Sequence, residues 1–260
     1  MKKTILAAII SAVLTRPAYA YNVTHNFTVF LGPFNASNTV FNYNITPQSY
    51  SVKSTVDTYG FFGSVYPFTA EYLTTGKIQK QVLSTTSYKS YSQSRFNTRH
   101  KEMVYDKDGK PTYRISSKNK IAGKKIEILP PPDDIHTTDL QTVLADMIVQ
   151  YTKMKFCNSR MHVFDGKKRF DVIFSDEGTE NIDANEFSSF SGKAVKCSFY
   201  ADDLGQKHDD LIFSLTPENP IYFWILEDAE TKLPFIARIE NQSTPLGKLV
   251  VYTNKIEIKD

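Results

Sequence analysis

Residues 49–60, SYSVKSTVDTYG, carry the pattern on which the fold prediction rests. Tyr50, Val52, Ser54 and Val56 occupy every second position, and polar residues fill the positions between them. Successive side chains of a β-strand point to opposite faces of a sheet, so this alternation predicts a strand with one buried face.

The same alternation recurs on both sides of this segment. Residues 25–32, HNFTVFLG, break at Gly32-Pro33, and NTVFNYNI follows at residues 38–45. Residues 100–117 predict a hairpin that turns at Asp108-Gly109, and strand-like segments resume after residue 158 and continue to the end of the chain. No internal repeat has a fixed period. We therefore predict a mainly β protein, with residues 21–260 as one domain built on a strongly curved antiparallel sheet or an incomplete β-barrel.

Residues 137–154, TTDLQTVLADMIVQYTKM, depart from this period. Their apolar residues are spaced three and four apart, which predicts one amphipathic α-helix over about 138–154. Thr138 and Gln141 fit a capping box, and Asp139 lies where a carboxylate complements the helix dipole. The stripe is expected to pack in the core, with a ligand-lining role as the alternative. Its members are Leu140, Val143, Leu144, Met147, Ile148, Tyr151 and Met154.

The first twenty residues, MKKTILAAIISAVLTRPAYA, have the features of a secretory signal peptide. Lys2 and Lys3 precede an apolar run over residues 5–14, and Ala18-Tyr19-Ala20 fits a small-x-small cleavage site. No later stretch reaches the roughly 18 apolar residues that a spanning helix needs. We therefore expect export to a bacterial periplasm, with no transmembrane segment after cleavage.

The charge balance bears on the class of partner. The chain has 31 Lys+Arg and 28 Asp+Glu, and Lys2, Lys3 and Arg16 lie in the predicted signal peptide, which leaves 28 of each sign in residues 21–260. A domain without net positive charge lacks the general attraction that nucleic-acid binding requires, so that class is disfavoured.

Cys157 and Cys197 are the two cysteines of the chain. An even pair in an exported protein is expected to be oxidised, which predicts a disulfide that joins the end of the helix to a later strand. The alternative is a redox-active or nucleophilic thiol, which the lack of C-x-x-C spacing disfavours.

The remaining candidate residues form no established catalytic motif. The five histidines, at positions 25, 100, 136, 162 and 208, show no metal-ligand spacing, and no G-x-S-x-G, P-loop or G-x-G-x-x-G occurs. His208 lies beside Asp209 and Asp210, which form either a cation site or a polar hairpin. Asp165 before Gly166 suits a tight turn, and a binding role for Asp165 with Arg169 is the alternative.

Segments that contain several of these residues resemble the sequence pattern of a known family of exported bacterial proteins, domain of unknown function 3108. The resemblance is most specific over residues 139–172, where a short helix leads to a cysteine and then to VFDGKKRFD, and it extends through AVKCSFYADD and LPFIARIEN. The resemblance implies a periplasmic, mostly antiparallel β protein shaped as an incomplete barrel with a helix, and it implies no known reaction. The matching positions are Cys157, Phe164, Asp165, Gly166, Lys168, Arg169, Phe170, Asp171, Cys197 and Pro234.

The sequence therefore favours a non-enzymatic protein of the cell envelope. We expect it to bind a lipid, another apolar molecule or an envelope protein, or to serve in envelope maintenance, and we expect no cofactor, no metal and no catalytic residue. The alternative is a periplasmic hydrolase that uses Asp165 and His162 or the cluster at His208.

Overall fold

The computed structural model describes residues 21–79, 82–119, 121, 123–128, 137–166, 168–202 and 215–259. The predicted signal peptide and His208 with its acidic neighbours lie outside these ranges. The strands are β1 (Tyr21–Leu31), β2 (Phe34–Ile45), β3 (Ser49–Thr58), β4 (Phe68–Gln79), β5 (Val82–Ser94), β6 (Thr98–Tyr105), β7 (Pro111–Lys118), β8 (Lys125–Glu127), β9 (Ser159–Phe164), β10 (Arg169–Ile182), β11 (Gly192–Asp202), β12 (Ile221–Glu227), β13 (Pro234–Thr244) and β14 (Gly247–Lys259). The helices are α1 (Gly60–Val65) and α2 (Leu140–Met154).

All fourteen strands belong to one antiparallel sheet. Their spatial order is β8-β7-β6-β5-β4-β3-β2-β1-β14-β13-β12-β11-β10-β9, so the first and last strands pair in the middle of the sheet. The sheet does not close, because β8 and β9 remain as its edges. The predicted mainly β fold with an incomplete barrel is confirmed.

The predicted alternation holds in three dimensions over residues 49–58, where Val56 is half-buried. Tyr50, Val52 and Ser54 are buried on β3, and β2 presents Tyr43 opposite Val52 and Ile45 opposite Tyr50. This inner face carries the apolar residues that pack against α2, and the alternate positions face the outside of the curved sheet.

Helix α2 lies on the inner face and fills part of it. Val143, Met147 and Tyr151 are buried in the largest apolar cluster, together with residues of β9 to β13. Core packing is therefore the role of this part of the stripe. Leu140 and Met154 differ from the expectation, because they are 46% and 43% exposed at the two ends of the helix.

The N-terminal cap of α2 also differs from the prediction. Asp139, and not Thr138, is the N-cap residue, and its carboxylate accepts hydrogen bonds from the backbone N–H groups of Gln141 and Thr142. The Gln141 amide does not complete a capping box, because it donates to the Val52 carbonyl at 3.1 Å and to Thr74 Oγ1 at 3.0 Å. The Gln141 side chain, which a capping box would have used, is thus bonded instead to buried polar groups of the neighbouring strands.

Helix α1 was not predicted from the sequence, which indicated one helix. Its six residues, GFFGSV, bury no side chain and carry no charge. A segment of this length is too short to show a helical period, so sequence patterning gave no signal for it. Within the described residues, neither helix has the length and apolar character of a membrane-spanning segment.

The curved sheet approaches itself beyond edge strand β9. The backbone of Thr138 bridges Val163 of β9 in parallel, and the carbonyl of Asp165 accepts a hydrogen bond from Lys101 Nζ of β6 at 2.8 Å. Phe164 packs with Met103 and Tyr105 in a small buried cluster. The β9–β10 turn therefore contacts β6, in the half of the sheet formed by β1 to β8.

Candidate functional site

A narrow apolar crevice lies between α2 and strands β1, β2, β13 and β14. It has about 30 Å³ of free volume, and two of its twelve lining residues, His25 and Tyr43, carry polar side-chain atoms. Ala145 of α2 lies in the wall of this crevice, and its small methyl group leaves space that a larger side chain would fill. The lining residues are Val23, His25, Tyr43, Ile45, Ala145, Ile148, Leu233, Pro234, Phe235, Ile236, Ile256 and Ile258.

His25 belongs to the wall of the crevice and is almost fully buried. Its Nε2 lies 2.7 Å from Thr253 Oγ1, and the Thr253 hydroxyl donates to the Ile236 carbonyl. Because that hydroxyl proton is already used, Nε2–H is the donor to Thr253 Oγ1. Burial lowers the pKa of His25 to about 3.

The neutral His25 ring behaves as an apolar wall. Its centroid is 4.0 Å from that of Phe27 and 6.1 Å from that of Phe235. A neutral imidazole packed between aromatic rings offers no charge to an ionic ligand. The crevice is therefore suited to hydrocarbon.

A buried polar cluster surrounds the N-terminus of α2. Asp139 accepts hydrogen bonds from the hydroxyls of Thr74, Thr85 and Thr142 at 2.8, 2.9 and 2.7 Å. The Tyr50 hydroxyl lies 2.7 Å from Thr142 Oγ1, and burial raises the Tyr50 pKa. Since both carboxylate oxygens are engaged by donors within the protein, this cluster fixes the helix and is a poor candidate for a ligand site.

The structure places Asp165 and Arg169 in the β9–β10 turn region. Asp165 Oδ1 accepts a hydrogen bond from the backbone N–H of Lys168 at 2.8 Å, and Gly166 has a φ of 96°. The Arg169 guanidinium lies 4.9 Å from the centre of the Phe164 ring, and burial lowers the Arg169 pKa. These residues shape the turn that approaches β6, and they lie away from the apolar crevice.

His162 has a partner that sequence reasoning did not identify. Its Nδ1 lies 2.5 Å from Asp171 Oδ1, and Arg160 Nε donates to Asp171 Oδ2 at 2.6 Å. Asp171 is buried beneath these two side chains. The signal was present in the register of the predicted hairpin, because Asp171 stands directly opposite His162 across the turn.

The two cysteines form the predicted disulfide. Cys157, just after α2, is bonded to Cys197 of β11, with their Cα atoms 6.1 Å apart. Both residues are buried in the cluster that contains Met147 and Tyr151. The bond therefore fixes the C-terminal end of the helix to the second half of the sheet.

Within the described ranges, no group of three or more His, Cys, Asp or Glu side chains is arranged to hold a metal ion. In the same part of the chain, the hydrogen bond of the His162 ring goes to Asp171, and no hydroxyl or thiol is bonded to that ring. The geometry thus provides an imidazole that a buried carboxylate orients.

The sequence of this domain matches a known family model. The model is described as "Protein of unknown function (DUF3108)", and it covers residues 21–252. The chain belongs to the DUF3108 family. The residues that carried the resemblance in the sequence include both disulfide cysteines and the β9–β10 turn. In this DUF3108 protein the family pattern therefore coincides with the disulfide and with the turn that contacts β6.

The fold of this DUF3108 protein is similar to that of another domain of unknown function. A crystal structure titled as a beta-barrel-like protein of domain of unknown function DUF1849, from Brucella abortus, shares 8% sequence identity. The match covers 93% of this chain and 98% of that chain with a TM-score of 0.52. At this identity the likeness concerns the fold alone. A search of curated proteins found no match.

Proposed function

We propose that this DUF3108 protein is an exported, non-enzymatic protein of the bacterial periplasm that binds a slender apolar molecule, such as one acyl chain of a lipid, in the crevice beside α2. The observation that carries the proposal is the lining of the crevice, in which ten of twelve residues are apolar and His25 is held neutral by burial. Binding of hydrocarbon there removes apolar surface from water without leaving a charge unpaired.

The size of the crevice limits the ligand. Its free volume of about 30 Å³ lies far below the few hundred Å³ typical of sites for drug-sized molecules. A single acyl chain therefore enters the crevice only in part, or the crevice widens to admit it. Leu233 at its mouth ends the β12–β13 loop, whose residues 229–232 are exposed, so this loop is the element expected to move.

Two features support the proposed location. Residues 1–20 have the charge, apolar run and small-residue site of a secretory signal. The disulfide between Cys157 and Cys197 suits an oxidising compartment outside the cytoplasm.

The test compares ligand retention by matched variants. Native mass spectrometry of the freshly purified protein is expected to show a co-purified lipid. Delipidated protein is expected to bind a fluorescent fatty acid that is added to it in buffer. Ala145→Leu adds a side chain that fills the crevice and is expected to abolish both signals. Ala184→Leu adds the same side chain at an exposed position and serves as the control.

A second variant covers the case in which Ala145→Leu disturbs folding. Ile258, half-buried on β14, lines the crevice, so Ile258→Asp introduces a charge there with less strain in the core. Unchanged fatty-acid binding in a folded Ile258→Asp protein would contradict the proposal, as would a wild-type protein that binds no lipid.

A hydrolase is the second candidate, and the pairing of His162 with Asp171 favours it. A buried carboxylate that fixes an imidazole is the arrangement that general-base catalysis uses. Turnover of a simple activated ester by the purified protein, with loss of turnover in His162→Asn and Asp171→Asn, would support it. Equal turnover by the variants and the wild type would exclude these two residues.

A further inference from the structure

One end of the sheet concentrates exposed apolar side chains. In an antiparallel meander, successive turns fall alternately at two ends. The turns after β1, β3, β5, β7, β9 and β13 therefore share one end, which we call the rim. The apolar crevice lies towards the opposite end, where Val23 of β1 pairs with Ile258 of β14.

The exposure of large apolar residues is strongly unequal between the two ends. Among the residues that the structure describes, eight large apolar side chains are more than half exposed, and seven belong to the rim. The eighth, Val82, lies at the opposite end, at the start of β5. The rim residues are Tyr59, Phe61, Val65, Tyr66, Phe96, Ile121 and Leu246. Large exposed apolar surfaces are typical of interaction sites.

Helix α1 holds part of this surface away from the core. The Tyr59 N–H donates to the Ala36 carbonyl at 2.9 Å, which anchors the start of the helix to β2. The Phe61 ring stacks on Phe34 with their centroids 5.4 Å apart, while both side chains remain about half exposed. The aromatic rings therefore support each other outside the sheet and are available to a partner.

The charges of the rim indicate the kind of partner. Residues 58–70 contain no charged side chain, although 23% of the whole chain is charged. Phe96 and Ile121, in contrast, stand among exposed basic residues, and residues 92–100 and 116–124 contain no acid. These basic residues are Arg95, Arg99, Lys118 and Lys124. Aromatic and aliphatic tips flanked by cations suit the boundary between acyl chains and anionic headgroups.

We propose that the rim docks on the surface of a lipid bilayer that contains anionic headgroups. The exposed apolar residues lie on several separate turns and do not line one groove, so a flat and deformable surface contacts them together more readily than a folded protein does. The rings and aliphatic tips enter the interfacial layer, and the basic residues remain at the level of the phosphates.

Vesicle flotation tests this surface directly. Protein from cells that express the full 260-residue chain is mixed with phosphatidylcholine vesicles that contain phosphatidylglycerol, and with vesicles of phosphatidylcholine alone. Wild-type protein is expected to float with the anionic vesicles. Phe96→Ser with Ile121→Ser is expected to lower the partition coefficient about tenfold, because two apolar tips no longer enter the interface. Arg95→Gln with Lys124→Gln is expected to lower it about tenfold on anionic vesicles, because two phosphate contacts are lost.

The control is Val82→Ser, which removes an apolar side chain that is also more than half exposed but lies at the opposite end, and this variant is expected to float as the wild type does. All substituted positions are exposed, and circular dichroism checks that each protein is folded. The proposal is overturned if the wild type does not float, if Val82→Ser reduces flotation as much as the rim variants do, or if neutral vesicles bind the protein equally well. A wild-type dimer that Phe96→Ser with Ile121→Ser converts to a monomer, without vesicle binding, would assign the rim to self-association instead.

Discussion

At the scale of single residues, His25 links the apolar crevice to the pH dependence of stability. Its pKa is lowered to about 3 in the folded protein, while an imidazole in the unfolded chain titrates near 6.5. The unfolded chain therefore binds the additional proton between these two values. The free energy of unfolding is expected to fall as the pH falls through this window.

The expected size of the effect at pH 5 is about 2 kcal/mol, from about 1.4 kcal/mol for each pH unit below 6.5. We expect urea unfolding at a series of pH values to show that the free energy of unfolding of His25→Gln falls less steeply with pH than that of the wild type. His100→Gln makes the same substitution at an exposed position and controls for the loss of an imidazole. An unchanged slope in His25→Gln would show that His25 does not stay neutral in the folded state.

At the scale of the element, α2 depends on the carboxylate of Asp139. Asp139→Ala removes the N-cap and leaves the hydroxyls of Thr74, Thr85 and Thr142 without their buried acceptor. We expect a loss of about 3 kcal/mol in the free energy of unfolding, from one lost cap and the unsatisfied donors. The midpoint of urea unfolding measures it.

Asp146 provides the matched control on the same helix. It is half-buried and accepts a hydrogen bond from Gln150 Nε2 at 2.8 Å, four residues along the helix. Asp146→Ala is expected to cost about 0.5 kcal/mol, because a pair at this spacing contributes little. Similar losses in both variants would mean that the buried cluster has no special role in holding α2.

The other end of α2 depends on the disulfide. Cys157 and Cys197 enclose a loop with a sequence separation of 40 residues, for which the chain-entropy model gives a stabilisation of about 4 kcal/mol. Replacement of both cysteines by alanine is expected to lower the free energy of unfolding by this amount. Reductant is expected to destabilise the wild type equally and to leave the double variant unchanged. A double variant as stable as the oxidised wild type would contradict this prediction.

At the scale of the whole molecule, the pairing of β1 with β14 joins two halves of the sheet. The ladder brings Val29 opposite Val251 and Leu31 opposite Leu249, across more than 200 residues of sequence. Helix α2 adds a second connection, because its N-terminus is hydrogen-bonded to β3, β4 and β5 while its apolar stripe packs on β9 to β13. Neither half provides a complete core alone.

Removal of β14, by ending the chain after Leu246, is therefore expected to prevent folding of the entire sheet. The truncation exposes the edges of β1 and β13 and opens the cluster that contains Phe27 and Val251. Circular dichroism and size-exclusion chromatography are expected to show aggregation. Removal of Lys259 and Asp260 alone is the control. A monomeric truncated protein with a native-like spectrum would show that the halves fold independently.

Much of the fold could be predicted from residue patterns, but little of the candidate site could. The alternation at residues 49–58 and the stripe at 140–154 each reflect one face of one element, and the folded protein buries most of both faces. The crevice, in contrast, is formed by Val23, Ala145 and Pro234, which lie on different elements. No local pattern records their proximity.

The sequence by itself determined the antiparallel β class, the position of α2 and the partner of each cysteine, because periodicity, turn residues and a single possible pairing are properties of the chain. The tertiary structure alone decided that Asp139 caps the helix within a cluster of threonine hydroxyls, that Asp171 holds His162, and that His25 stays neutral in the wall of an apolar crevice. These outcomes depend on burial and on hydrogen bonds between residues distant in sequence, and both arise only when the sheet curves around the helix.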